Sequence, residues 1–315
     1  MSPIGRVLVT GASGFVGSHL VPRLRERGAE VFALGTDPAS PSIEAHLAAT
    51  FTADLRQPDP VRAAVASARP DAIVHLAALS SAGRSFADPS ATFAVNTIGT
   101  WNVLIAARDE APAARVLVVS SGEVYGPQSE GARTSEDAPF RPVSPYALSK
   151  AAAEAIAETA ARNWNLDVVR TRSFSHTGPG QSPTFVVPGW ADQIVRIERG
   201  ELPPVLRVGN LQVTRDLSDV SDVVEAYLAL LERGARGGVY NVCRGAGVRL
   251  DQVAAQMVGR ATVPIRIEVD PERVRPSDVP WLVGDPSRIE ADTGWRVRIP
   301  LEDTLAAVLE HRRRA

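Results

Sequence analysis

From residue 4 to about residue 173, short apolar β-branched runs alternate with longer stretches whose apolar residues recur three and four apart. The first run covers residues 4–10, and Phe15, Leu20, Val21 and Leu24 follow it at helical spacing. Further runs occupy residues 30–34, 51–55, 71–76, 115–120 and 166–174. Runs that are apolar throughout suit strands covered on both faces. Their alternation with helices, two of them predicted over residues 89–108 and 145–163, specifies an α/β protein with a doubly wound parallel sheet of Rossmann type.

Beyond residue 173 the texture changes. S-H-T-G-P-G-Q-S-P reads as a loop, residues 187–199 as a helix, and residues 202–206 as a Pro-punctuated link. Residues 214–217 and a helix over 220–231 read as a return to the first unit. Then come a short strand (V-Y-N-V), a helix from Arg249, I-R-I-E-V, a capped helix from Asp285-Pro286 closing before Gly294, and a terminal helix near Leu301. The expected division is a dinucleotide-binding domain of residues 1–172, with 213–242 returning to it. Residues 173–212 and 243–315 then form a smaller mixed α/β substrate lobe.

Composition narrows the function. The 315 residues are 44% hydrophobic and 22% charged, ordinary for a soluble globular chain. With 34 basic against 36 acidic residues, no global field favours nucleic acid or an anionic membrane. No run of 18 apolar residues and no apolar leader occurs, so neither export nor membrane spanning is indicated. A single cysteine, Cys243, excludes an internal disulfide and a Cys-based metal site, and fits a reducing cytoplasm. No metal ligand set stands out. The terminal Arg312 to Arg314 reads as the frayed end of the last helix.

Gly11, Gly14 and Gly17 form G-x-x-G-x-x-G between the first strand and its helix. Such glycines make a tight turn, let backbone N–H groups approach a pyrophosphate and permit close helix packing. Phe15 and Val16 within the turn, with Leu55 and Ala77 at later strand ends, complete the expected dinucleotide contacts. At the second strand end, where a carboxylate commonly holds an adenosine ribose, Gly35 stands instead, followed by Thr36 and Asp37. The choice between NAD(H) and NADP(H) is therefore open. Asp54 is placed either to meet an adenine edge or to serve as an ordinary turn residue. His75, within an apolar strand, reads as a satisfied core histidine.

The sharpest signal is a lysine. Of the 34 basic residues, Lys150 is the one lysine and the other 33 are arginines. A planar guanidinium does not replace a compact ammonium where shape matters, so this position demanded its lysine. Tyr146 precedes it by four residues in S-P-Y-A-L-S-K, with Ser144 as helix cap and Pro145 at the first position. At that spacing the phenol and the ammonium share one helix face, where a cation eases ionisation of the phenol.

T-G-A-S-G-F-V-G, V-S-S-G-E-V-Y-G, S-P-Y-A-L-S-K and T-R-D-L-S-D-V together resemble the extended short-chain dehydrogenase/reductase family over essentially the whole chain. This is the family of nucleotide-sugar epimerases, dehydratases and reductases. H-T-G-P-G-Q-S-P, V-Y-N-V-C-R-G and R-P-S-D-V-P-W-L-V-G-D-P-S-R are most similar to its GDP-4-keto-6-deoxy-D-mannose reductases. The resemblance implies NAD(P)-dependent redox chemistry on a nucleotide sugar, GDP-linked by preference. Ser121 would bond the substrate carbonyl, Tyr146 would donate the proton, and Lys150 would hold the nicotinamide ribose and lower the pKa of Tyr146. Asn96 would support the Lys150 side, Glu123 would be a possible acid or base, and Arg215 and Arg275 would hold the diphosphate. The helices over 89–108 and 145–163, with alanines 151, 152 and 155 on the latter, would pair in a homodimeric four-helix bundle. Two departures stand out. R-S-F-S-H puts Ser175 where the family's reductases carry a substrate-contacting amide, and Gly122 stands where its dehydratases commonly have a polar side chain.

Overall fold

A computed structural model describes residues 5–274 and 279–315. Seven strands form an all-parallel sheet: β1 (Arg6–Thr10), β2 (Glu30–Gly35), β3 (Ala49–Thr52), β4 (Ala72–His75), β5 (Arg115–Ser121), β6 (Asp167–Ser173) and, late in the chain, a strand at Val239–Val242. Ile4, expected to open the first strand, lies outside the described residues. The spatial order runs from Val239–Val242 through β6, β5, β4, β1 and β2 to β3, so direction reverses between β4 and β1. That reversal opens a crevice at the carboxyl ends of the strands.

Alternate side chains of each strand serve opposite layers. Val7 and Val9 pack with α1 (Phe15–Glu26) and with the helix at Val220–Arg233, whereas Leu8, Phe32 and Ile73 pack on the other face. The helices there follow α2 (Pro41–Glu44) in the chain: α3 (Pro58–Ala68), α4 (Ala82–Ser85), α5 (Pro89–Phe93), α6 (Gly99–Glu110) and α7 (Pro145–Asn163). The helix predicted over 89–108 is not regular. A π-turn, Ala94–Ile98, separates α5 from α6, and the extra residue turns the Asn96 side chain inward.

After β6 the chain forms β7 (Ser175–Thr177), β8 (Val205–Val208) and β9 (Thr214–Asp219), then β10 (the Val239–Val242 strand of the large sheet), β11 (Gly247–Arg249), β12 (Arg266–Val269) and β13 (Trp281–Leu282), all but β10 lying in a second unit. Of the remaining helices, α9 (the Val220–Arg233 helix) and α11 (Ser287–Thr293) pack in the core of the large sheet, while α8 (Val186–Glu198), α10 (Leu250–Val258) and α12 (Leu301–Arg314) belong to the second unit. β9 pairs with β7, β11 and β13 instead of the large sheet, so residues 214–219 differ from the expected return, while α9 and β10 lie with the large sheet. The polar sequence T-R-D-L-S-D carries no period that reveals its partner. Residues 205 and 206, expected within a link over 202–206, instead open β8, which pairs with β12. A third core of α8, α10 and α12 side chains, including Trp190, Ile194, Met257 and Leu305, holds this unit together.

The terminal arginines do not fray. Arg313 bonds both Glu198 oxygens, at 2.6 and 3.0 Å, and Arg312 pairs with Asp192, which docks α12 on α8. Among the described residues no helix is long and apolar enough to cross a membrane.

Candidate active site

The crevice is a cleft of about 940 Å³, floored by the carboxyl ends of β1 to β6 and roofed by the second unit. Every candidate residue expected above lines it except Asn96, buried just behind, and Arg275, which lies outside the described residues.

At its first end the glycine turn is fitted to β4. Gly11 has φ +71°, and a Cβ there would lie 2.9 Å from the Ala77 backbone; one at Gly17 would lie 2.3 Å from the Ala12 carbonyl oxygen. Only bare backbone fits these two places. The N-cap of α1 is Gly14, which brings no side-chain acceptor to the first turn, so the turn offers N–H groups and a favourable dipole to an anion. These features fit the pyrophosphate of a dinucleotide. At the adenosine end a Cβ on Gly35 would meet nothing closer than 4.0 Å, so that rim is open. The Thr36 hydroxyl donates to Asp37 at 3.1 Å. Arg56 clasps both oxygens of Asp54, which holds that carboxyl below its usual range. The clasp joins side chains only two positions apart, in D-L-R, a spacing the sequence alone does not mark as a site.

At the middle stands α7. Ser144 caps it by accepting from Ala147 N at 3.1 Å, with Pro145 at its start, as the spacing predicts. Tyr146 and Lys150 are then 8% and 7% exposed on one face. Burial pushes the Tyr146 phenol up, the Glu123 carboxylate adds to this, and a hydrogen bond with Ser121 opposes both. Lys150 was expected to draw Tyr146 down; here that pull comes from Ser121. The ammonium instead donates to Val119 O at 2.8 Å, and burial lowers its pKa to about 8.

Asn96 braces this centre from behind. Its amide spans the Leu79 backbone, accepting from N at 2.8 Å and donating to O at 3.1 Å, and donates to Ser149 Oγ at 2.9 Å, next to Lys150. His75 is the satisfied core residue expected. Thr100 spends its hydroxyl proton on Asn96 O at 2.6 Å and so accepts from His75 Nε2, while Thr10 donates to Nδ1. Burial, with the Lys150 charge second, depresses His75 to about 3, so the ring is neutral throughout the working range.

At the far end Ser175 and Arg215 face the cleft, and the Arg215 guanidinium is oriented by Thr214 O at 2.9 Å and Val279 O at 2.6 Å. Phe174 and Tyr227 line the cleft as well, and the sequence did not single them out. Phe174 packs its ring so close to Gly122 that a Cβ there would lie 3.0 Å from three ring carbons. Tyr227, on α9, meets Ser173 Oγ at 2.7 Å and adds to the upward push on Tyr146. Its helical spacing signals only a core position.

The family model described as GDP-mannose 4,6 dehydratase matches residues 8–308. A GDP-6-deoxy-D-mannose reductase from Pseudomonas aeruginosa is 35% identical over 305 residues, covering 96% of either chain. The structure of RMD from the same organism, complexed with NADPH, superposes with TM-score 0.86 at 33% identity, over 98% of this chain and 99% of that one. The UDP-glucose 4-epimerase of Thermus thermophilus, complexed with NAD, gives 0.89 at 33% identity over the same shares.

Proposed function

Because this chain belongs to the GDP-mannose 4,6-dehydratase family of extended short-chain dehydrogenase/reductases, we propose that it reduces the 4-keto group of a nucleotide-activated 6-deoxy sugar. Its substrate in this reading is GDP-4-keto-6-deoxy-D-mannose, and its reductant is NADPH or NADH. The protein is an NAD(P)-dependent oxidoreductase.

One observation carries the choice of reduction over dehydration. Position 122, directly after Ser121, bears no side chain, and Phe174 fills the space that one would enter. Dehydration needs oxidation at one carbon, proton removal from the next and loss of water from a third, hence a further acid. Beside Ser121 only Glu123 is left to provide it. Reduction of a keto group needs one hydride, which reduced nicotinamide supplies when bound, and one proton. The side chains suffice for the proton. The Ser121 hydroxyl donates to the keto oxygen and orients it, and the Tyr146 phenol, kept protonated by burial, gives its proton to the developing alkoxide. The Lys150 ammonium, anchored on Val119 O, would hold the nicotinamide ribose on the same helix face. Arg215 offers a fork to the substrate diphosphate. Ser175 contacts the sugar where relatives of the reductase type carry an amide.

The test is to mix the protein with GDP-4-keto-6-deoxymannose and reduced cofactor and to follow loss of nicotinamide absorbance. Stoichiometric consumption is expected, with NADPH and NADH within about tenfold of each other, ~1.4 kcal/mol. The open rim at Gly35 places no carboxylate against a 2′-phosphate, and no arginine stands in the adjoining stretch 35–42. Glu123→Gln is expected to slow turnover by less than about tenfold, whereas loss of a true general base costs about 10² or more. Conversion of GDP-mannose to a keto sugar without added reductant would make the protein a dehydratase.

The same reading includes a cytoplasmic homodimer. On α7 the positions Leu148, Ala152, Ala155 and Thr159 form an outward stripe at four- and three-residue spacing, with Leu148 49% exposed. Ala94, Ile98, Trp101 and Ile105 form a second stripe on the adjoining π-turn and α6, with Ile98 50% exposed. Ala151, expected on this face, is buried against Val124 and Phe174 instead. Two such stripes meeting their symmetry mates make a four-helix bundle. Light scattering at micromolar concentration should give twice the chain mass, and Leu148→Glu should halve it. A monomeric wild type refutes the dimer.

A further inference from the structure

We propose that Asp216 is a positioning residue for the substrate diphosphate, tying β9 to the turns around residues 243–246 and 283–286 so that Arg215 is held in place. The inference rests on the reading of Arg215 given above. Along β9 successive side chains point to opposite faces. Val213, Arg215 and Leu217 line the cleft, while Asp216 faces away and is 1% exposed. Its carboxylate accepts three backbone N–H groups: Arg244 at 2.7 Å, Gly245 at 2.9 Å and Gly284 at 3.3 Å. The first two belong to the turn between β10 and β11, the third to the turn after β13.

Those turns are packed on each other and on the catalytic side of the cleft. A Cβ on Gly245, whose φ is +77°, would lie 2.9 Å from Pro286 Cδ. One on Gly284 would lie 2.6 Å from Cys243 Sγ and from the Phe174 ring, the same ring that backs Gly122 beside Ser121. One buried carboxylate thus gathers the strand that carries Arg215, the strand of the large sheet that ends at Val242, and the wall behind Ser121. Substrate grip and reacting centre share it.

The three partners are all donors, so the arrangement needs the ionised carboxylate; a neutral carboxyl would present an O–H to N–H groups. Arg244, on the first turn, is the charge that acts on Asp216, and the Cys243 thiol on the same turn faces Asp216, Glu136 on the neighbouring loop and Asp285 on the second turn. Burial raises Asp216 to about 6 against the pull of the three N–H groups and of Arg244. Arg215 should therefore be held firmly above that pH and loosely below it.

Binding of GDP-mannose and UDP-glucose, diphosphate diesters that keep their charge over this range, is measured by calorimetry from about pH 8 to about pH 5. Wild-type affinity should fall by about tenfold, ~1.4 kcal/mol, as pH drops through about 6. Asp216→Asn should bind at every pH as the wild type does at the acid end, while NADPH affinity stays within about twofold of normal, because the glycine turn lies in the other sheet. A purely structural role would lower both affinities together and leave no shared acid limit. Should the variant fail to fold, the wild-type series decides alone, and a flat one overturns the inference. A folded variant that binds like wild type at about pH 8 also overturns it. A wild type that binds neither diphosphate ester at any pH sinks the Arg215 reading and this inference together.

Discussion

Tyr146→Phe should lower turnover by about 10²- to 10⁴-fold while leaving cofactor affinity near normal, since it deletes one hydroxyl and keeps the ring. The ring is buried in the first turn of α7, whose start is pinned by Ser144 and by Ser85, which accepts from Tyr146 N at 3.1 Å. The backbone therefore does not depend on the phenol. In the proposed reaction the phenol supplies the proton, which burial and Glu123 hold back and the Ser121 hydrogen bond helps release. Because burial raises Tyr146, it enters each turnover protonated across the neutral range, and its own ionisation does not set the alkaline limb. That limb falls to Lys150. Its pKa is lowered to about 8, so the ammonium is charged below that pH and lost above it, and kcat/KM of the free enzyme should decline as pH rises through about 8. Stopped assays over a pH series measure both. A phenylalanine variant within about threefold of wild type would mean that the proton comes from another group.

Glu154→Ala should reduce the free energy of unfolding by ~3–5 kcal/mol, the usual cost of leaving one member of a buried ion pair alone. Glu154 and Arg172 are 1% and 6% exposed. Arg172 Nη2 reaches Glu154 at 2.6 Å and Nε meets its two oxygens at 3.0 and 3.1 Å. The other guanidinium nitrogen bonds Tyr125 Oη at 2.8 Å and Glu136 O at 2.7 Å, and the cation lies 4.5 Å from the Phe140 ring centre and 5.0 Å from that of Tyr125. Arg170 comes within 4.0 Å of the same carboxylate but keeps Glu158 at 2.9 Å, so removal of Glu154 strands Arg172. The pair joins α7, one turn beyond Lys150, to β6 two residues before Phe174, and thereby sets the distance between the proton donor and the wall behind Ser121. Denaturant melts of the single variant and of Glu154→Leu/Arg172→Met separate the terms. The double variant should recover most of the loss, because an apolar pair of similar volume avoids the cost of burying charge. A loss below about 1 kcal/mol in the single variant would show that water reaches the stranded arginine.

Much of the large sheet was legible because its information is local. Strand runs, the G-x-x-G-x-x-G turn and the four-residue step from Tyr146 to Lys150 are encoded by backbone periods of two and 3.6 residues, which any chain segment obeys. The cap at Ser144 and the Gly294 terminus of α11, at φ +71°, follow from rules confined to a few residues. Chain polarity and alternation even order the sheet, since parallel strands joined by helices have few right-handed ways to pack.

The amino-acid sequence by itself determined the doubly wound fold, the dinucleotide turn and the tyrosine–lysine pair, each written in spacings of about one helical turn or within one strand-turn-helix unit. Tertiary structure alone decided that β9 joins the second sheet and that Arg312 and Arg313 anchor a helix instead of fraying. It also decided that Lys150 bonds Val119 and that Phe174 closes the space beside Gly122. Phe174 and Gly122 stand 52 residues apart along the chain, and Asp216 and Gly284 stand 68 apart. No local period relates such positions. Each contact exists only once distant strands have paired, β5 with β6 setting Ser121 opposite Ser173 and β9 with β13 setting Leu282 opposite Arg215, because ladder hydrogen bonds join segments whatever their separation along the chain.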